Sequence, residues 1–351
     1  MTRSPEDGRP LVSIILIFLN DERFVEEAIQ SVLRQTATDW ELLLVDDGSS
    51  DGSTAVAQRY AADHMGRIRY LEHGGHLNRG KSSSRNLGLY NARGEFLVCL
   101  DSDDILLPHA IEVFSELLAG HPAAAMVYGP LQYWYSWIMP PYRRGVDFVQ
   151  PLGVAANALI EPPELLMAFL QRRAAVPSGM LVRTSVARDI GGYEEAFRWM
   201  YDDQVFCAKV CLSRPVLTSS ICGYRYRQHA ASSSAVADGS GEYELGRLAF
   251  LEWLAAYLMS NGRTDPELWR ALRAELWWTR HPRLGRLRRA TRRARRRLAR
   301  VTRALTPLRG THRPFGHAGE NSGNVGQVAR SRAGFQSNTP EGQEGVAPEK
   351  Q

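Results

Sequence analysis

Cysteine is scarce: the 351 residues include only Cys99, Cys207, Cys211 and Cys222. None is placed as in a zinc site, since Cys207 and Cys211 stand four apart inside an apolar, helix-like run. No disulfide framework is offered, so a reducing, cytoplasmic compartment is the expectation. Long hydrophobic runs are also missing. The apolar stretch at 11–19 is short and predicts a buried strand, neither a signal peptide nor a span. No segment approaches the roughly 18 apolar residues that a transmembrane helix needs. Internal repeats are absent. Acidic residues are missing from 280–303, which hold 12 arginines. Taking those 12 from the net charge of +5 leaves −7 for the rest, so the basic character is local and the main body is mildly acidic. Apolar residues become sparse beyond Gly310, where Gly, Ser, Asn, Gln and Glu predominate. This composition predicts a disordered tail over 310–351, and the polar start predicts a flexible N-terminus over 1–10.

What is present between them is an alternation. Residues 12–18 are apolar and β-branched, which suits a strand buried on both faces. Residues 22–34 then carry Phe24, Val25, Ala28, Ile29, Val32 and Leu33 at helical spacing. The same alternation predicts strands over 41–45, 68–71, 95–100 and 124–128. Helices are predicted over 54–62 and 81–91, and from Pro108 to about Ala119. Such a pattern argues for a mostly parallel, doubly wound α/β sheet with flanking helices. Ligands of these sheets bind beyond the carboxyl ends of the strands. Residues 131–163 read as a loop-rich surface with an aromatic cluster, Tyr133, Trp134, Tyr135 and Trp137. Further strands are predicted over 180–183 and 216–226, with a helix near 204–212 between them. Residues 242–259 and 265–278 predict helices.

Two of the strands end in acids. The second closes on Val45-Asp46-Asp47-Gly48-Ser49-Ser50-Asp51 and the fourth on Leu100-Asp101-Ser102-Asp103-Asp104. In a parallel sheet both clusters fall on one rim. Converging carboxylates repel one another unless a cation sits among them, and Mg2+ or Mn2+ favours such oxygens. In Asp101-Ser102-Asp103, side chains two apart in extended chain aim to one side. The alternative for Asp51 and Ser53 is turn chemistry or helix capping.

Five segments in order resemble family-2 glycosyltransferases with the GT-A fold, over about residues 11–230. They are VSIILIFLN at 12–20, SVLRQTATDWELLLVDDGSSDGS at 31–53, NRGKSSSRNLG at 78–88, GEFLVCLDSDD at 94–104 and GGYEEAFRWMYDDQVF at 191–206. The resemblance implies a GT-A domain over 11–230, with a nucleotide-binding half at 11–129 and an acceptor and catalytic half at 130–230. It implies that a nucleotide-sugar donor gives its sugar to a saccharide or lipid-linked saccharide acceptor, with inversion. Asp47 would meet the base, Asp101 the ribose or sugar, and Asp103 the metal. Asn20, Asn78, Gly80 and Arg85 fall in matching donor segments. Asp203 would be the general base, paired with Asp202 where the family has Glu. His229 would touch the metal or the diphosphate. The family's usual Pro-Thr-Tyr-Asn is Ile17-Phe18-Leu19-Asn20 here, so no nucleotide is assigned. Other readings stand beside these: a salt bridge to a rim acid for Arg85, a structural role for His229, a helix N-terminus for Asp202-Asp203, and loop packing or a sugar platform for the aromatic cluster.

A helical extension is expected over 241–309. Within it, Leu284, Leu287, Thr291, Ala294, Leu298, Val301 and Leu305 recur at three- and four-residue steps among arginines. This predicts a basic amphipathic helix over 280–305 that suits an anionic membrane surface, peripheral at its inner face. Nucleic acid is not expected as a partner, because no aromatic interleaving or nucleic-acid module accompanies the arginines. The competing function is a nucleotide-sugar-binding protein of the same fold with impaired catalysis. A nucleotidyltransferase is disfavoured, because residues 19–22 are acidic and lack glycine.

Overall fold

The computed structural model describes residues 9–174, 176–282 and 284. The chain opens with β1 (Val12–Phe18), α1 (Val25–Leu33), β2 (Trp40–Asp46), α2 (Ser53–Asp63), β3 (Ile68–Glu72), α3 (Lys81–Asn91), β4 (Phe96–Asp101), β5 (Ile105–Leu106) and α4 (Ala110–Gly120). It continues with β6 (Met126–Tyr128), β7 (Leu131–Trp134), β8 (Phe148–Val149), β9 (Leu159–Ile160), α5 (Glu164–Leu170), β10 (Leu181–Arg183) and α6 (Thr184–Asp189). Then come α7 (Asp202–Ser213), β11 (Val216–Thr218), β12 (Tyr224–Arg227), α8 (Ser233–Ser240), α9 (Glu242–Ser260) and α10 (Pro266–Arg280).

Eight strands form the main sheet in the order β3-β2-β1-β4-β10-β6-β11-β9. The β3–β2–β1–β4 half is parallel, and β10 enters antiparallel between β4 and β6. Every residue of β1 and β2 is buried, because helices cover both faces. Ile15, Ile17, Leu43 and Val45 face one core with α7, α9 and α10. Val12, Ile14, Leu16 and Leu44 face the other, with α1 and α4. This alternation explains the continuous apolar runs. Helices α9 and α10 supply Phe250, Leu251, Leu254, Leu258, Leu268 and Leu272 to the first core, in one compact unit with the sheet.

Register decides where the chemistry falls. Phe18 lies opposite Asp46, and Ile17 opposite Asp101. The loops carrying Asn20, Asp47 and Asp103 therefore leave one rim side by side.

Two expectations are corrected. Residues 216–226 form two strands rather than one, because the chain turns at Ser219–Gly223 to reach a second sheet, β5-β12-β7-β8. Gly223 fits that turn closely, for a Cβ there would meet Phe114 at 2.8 Å. Residues 131–134 are a strand rather than loop, since β7 pairs in parallel with β12, a partner about ninety positions away that local pattern cannot reveal. The flexible start falls outside the described residues except for Arg9 and Pro10. The basic helix at 280–305 lies outside them apart from 280–282 and 284, and the tail at 310–351 lies wholly outside them.

Helix α3 sits directly on β1. A Cβ at Gly88 would approach Ile15 Cγ2 to 2.5 Å. Gly88→Ala should therefore lower stability by about 1–3 kcal/mol through overpacking. A urea midpoint unchanged from the parent would refute that close approach.

Candidate active site

The first wall of the site is built from turns. Asp46 is buried, and its Oδ1 accepts from Gly48 N at 3.1 Å and Ser49 N at 2.8 Å. Its Oδ2 accepts from Thr54 Oγ1 at 2.6 Å. Beside it, Asp47 takes Arg79 N at 2.7 Å on Oδ1 and Gly80 N at 3.0 Å on both oxygens. Gly80 has φ +91°, and a Cβ there would meet Arg198 at 2.9 Å, so the left-handed position suits glycine alone. Asn78 is held by Arg198, whose Nη2 donates to its carbonyl at 3.1 Å. Asn20, at φ +55°, accepts from Ser50 N at 2.7 Å. The structure thus brings Asn20, Asp47, Asn78 and Gly80 together as clasps between four neighbouring segments. Phe18 is buried in the core, so its ring is unavailable to a ligand, and Leu19 is the half-exposed residue at that place.

The second wall is ionic. Asp101 ends β4 and takes Arg85 Nη2 at 2.6 Å. The other amino group of Arg85 closes on Asp202. Arg85 is buried on α3, so one guanidinium splints the end of β4 to the start of α7. The salt-bridge alternative for Arg85 is the contact that the structure displays. Burial raises Asp101, but Arg85 and Lys81 outweigh it and leave the carboxyl below its ordinary value. Asp203 follows Asp202 in the first turn of α7, and Asp202 is buried while Asp203 is partly accessible. Burial pushes Asp203 up, against the opposing charge of Arg85.

The third wall descends from the second sheet. Strand β5 follows Asp104 directly and pairs with β12. That pairing brings His229 Nε2 to 3.0 Å from Asp103 Oδ2. Asp104 is fully enclosed, accepting from Tyr224 Oη and Arg227 N, both at 2.8 Å. Burial, then Asp103 and Asp101, push Asp104 well above the ordinary carboxylate value of 3.8. The Ser102 hydroxyl donates to Asp21, which burial also raises. Asp101, Asp103 and Asp104 each offer an oxygen, all within 4.8 Å of one another. A hard divalent cation fits this oxygen set. Asp104 already has two donors and Asp101 is engaged by Arg85, so Asp103 is the best placed of the three to hold an ion.

Several residues here were not singled out from sequence. Asp21 and Lys81 sit in the field of the rim acids. Arg227 is 2% exposed, donates to Asp103 O at 2.7 Å and to Glu27 at 2.6 Å, and lies under Phe24, Trp134 and Trp137. The acid-rich loop gave a signal for Asp21. Nothing local marks Arg227, since its partners are remote in sequence.

The profile of one family, Glycosyl transferase family 2, matches residues 13–190. The chain belongs to glycosyl transferase family 2. As a family-2 chain it is 34% identical to the chondroitin synthase of Escherichia coli over 119 residues, 34% of this chain and 17% of that protein. It spans well under two thirds of the curated relatives it matches, 40% of one of the longest-covered. Staphylococcus aureus TarS, solved with UDP-GlcNAc, superposes with a TM-score of 0.57 at 18% identity, covering 76% of this chain and 72% of that one. The Pyrobaculum calidifontis mannosyltransferase PcManGT, solved with GDP-Man and Mn2+, gives 0.53 at 18%, covering 85% and 81%. The family-2 chain has the GT-A fold of these structures.

The raised carboxyls set a pH dependence. Asp104 and Asp21 hold protons more tightly folded than unfolded, so each withdraws stability as pH rises from about 4 through its folded value. A divalent cation offsets that loss. The rise in Tm on adding Mn2+ should therefore be larger at pH 8 than at pH 5. A thermal-shift series giving equal rises at both would count against a cation bound beside these two carboxyls.

Proposed function

We propose that this family-2 chain moves a hexosyl or related sugar from a nucleotide-diphosphate donor to an acceptor hydroxyl, with inversion, in bacterial cell-surface polysaccharide or glycolipid synthesis. The observation that carries the reading is the Asp101-Asp103-Asp104 set joined through Arg85 to Asp202-Asp203. A relative named chondroitin synthase and neighbours solved with UDP-GlcNAc and with GDP-Man and Mn2+ support a nucleotide-sugar donor and a polysaccharide setting.

In this reading Asp47, with Asn20, Asn78 and Gly80, shapes the nucleotide end. Asp101 meets the ribose or sugar, and Arg85 keeps it in place. Asp103, with His229, would hold Mg2+ or Mn2+, which when bound would offset the charge gathering on the leaving diphosphate. Asp202 is engaged by Arg85, so Asp203 is the acid left to act as base. The acceptor oxygen attacks the anomeric carbon while Asp203 takes its proton. The bond to the diphosphate oxygen breaks on the opposite face, and the configuration inverts.

Burial makes Asp203 a stronger base, and it works only deprotonated. Activity should fall as pH drops through a value above the ordinary 3.8. Asp203→Asn should cut kcat by about 10²–10⁴ and leave donor Kd, read by titration calorimetry, unchanged. Parental turnover in this variant would remove Asp203 from the role.

We also propose that residues 280–305 contact an anionic membrane surface. Residues 280–305 carry arginines throughout and hold no apolar run long enough to cross a membrane, so contact through this segment would be peripheral. Deleting 280–310 should reduce co-sedimentation with anionic liposomes, and undiminished pelleting would eliminate this segment as a membrane contact.

A further inference from the structure

The second sheet ends in a hairpin that the donor site leaves unused. It runs from β7 through residues 135–147 to β8, an edge strand. Five of its apolar side chains belong to neither core. Met139 is 80% exposed and Val146 79%, and Ile138, Phe148 and Val149 are exposed as well. An apolar edge of this kind is a liability unless something covers it.

Charge indicates what covers it. Asp147 is the only acid in residues 131–150, and it is half-buried and engaged within the hairpin. Its Oδ1 accepts from Tyr135 N at 2.7 Å and Ser136 N at 3.0 Å, and its Oδ2 from Ser136 Oγ at 2.6 Å. Arg143 and Arg144 are exposed, both in left-handed backbone, with φ +50° and +52°. The outward surface is therefore apolar and cationic. Half-buried Tyr135, Trp137 and Tyr142 belong to the same hairpin, and such rings settle at the headgroup level of a bilayer.

We propose that this hairpin docks the protein on an anionic phospholipid bilayer, with Met139 and Val146 at the acyl boundary and Arg143 and Arg144 among headgroup phosphates. The hairpin is fastened to the site. Trp137 Nε1 donates to Gln228 O at 2.8 Å, and its ring lies 6.4 Å from that of His229, the partner of Asp103. Docking here brings the metal-binding rim to the membrane surface, where the sugar of a lipid-linked acceptor would lie. That purpose rests on the transferase reading, whereas the binding does not.

The test pellets the full chain with vesicles of phosphatidylcholine containing phosphatidylglycerol, and of phosphatidylcholine alone. Met139→Ser with Val146→Ser, and separately Arg143→Gln with Arg144→Gln, should each weaken partitioning to the anionic vesicles by about tenfold. Melting temperatures should hold, since all four positions are exposed. Met65→Ser should bind as the parent does, because this 85% exposed residue precedes β3 at the opposite rim. The proposal is overturned if the parent fails to pellet. It is overturned equally if the hairpin variants pellet like the parent, whether or not loss of 280–351 abolishes binding. A dimer dissolved by the same substitutions, without vesicle binding, would assign the face to a second copy instead. Mn2+-dependent hydrolysis of a soluble sugar nucleotide separates the two readings. The hairpin variants should retain it, and its absence from the parent would count against the transferase while leaving the docking result intact.

Discussion

Like charge held close together is the constraint around which this structure is arranged. Asp101, Asp103 and Asp104 stand within 4.8 Å of one another, with Asp21, Asp202 and Asp203 nearby. Carboxylates gathered so tightly repel, and burial adds to the penalty. Two buried guanidiniums answer part of it. Arg85 ties Asp101 to Asp202, and Arg227 ties the backbone of Asp103 to Glu27 on α1. What they leave uncompensated is negative charge facing the opening, which suits a divalent cation and the diphosphate it would accompany.

The same contacts make one frame out of distant segments. Asn86, next to Arg85 on α3, donates to Tyr193 O at 2.9 Å and accepts from Tyr193 N at 2.7 Å. Ser82 donates to Phe197 O at 2.6 Å, and Lys81 N to Arg198 O at 2.9 Å. Residues 193–201, which lead into Asp202 and Asp203, are thus laced along the N-terminal half of α3. The helix that closes on Asp47 through Gly80 also sets the entry of α7. Asp47 and the Asp202-Asp203 pair therefore share one support, which favours a fixed separation between them. The resemblance between 78–88 and one family motif, and between 191–206 and another, describes two halves of a single interface.

Much of this was legible in the linear chain. The continuous apolar runs of β1 and β2 announced strands covered on both faces, and the acids that follow β2 and β4 announced a loaded rim. Asp47 and Asp103 do emerge side by side, because β1 pairs in parallel with both strands. Period and composition are local quantities, and these features were locally encoded. Leu131–Trp134 was not legible as a strand, nor was the break at Ser219–Gly223, since both depend on pairing between remote segments.

The order of residues alone determined the α/β alternation, the parallel half of the sheet and the kinds of side chain available at its rim. Tertiary structure decided which of those side chains are already engaged. It sent Arg85 to two carboxylates, enclosed Asp104 beneath Tyr224 and Arg227, turned Phe18 into the core and left Asp203 more open than Asp202. The reason is that burial and ion pairing depend on neighbours in space, and here those neighbours lie up to two hundred positions apart along the chain, as Arg227 and Glu27 do.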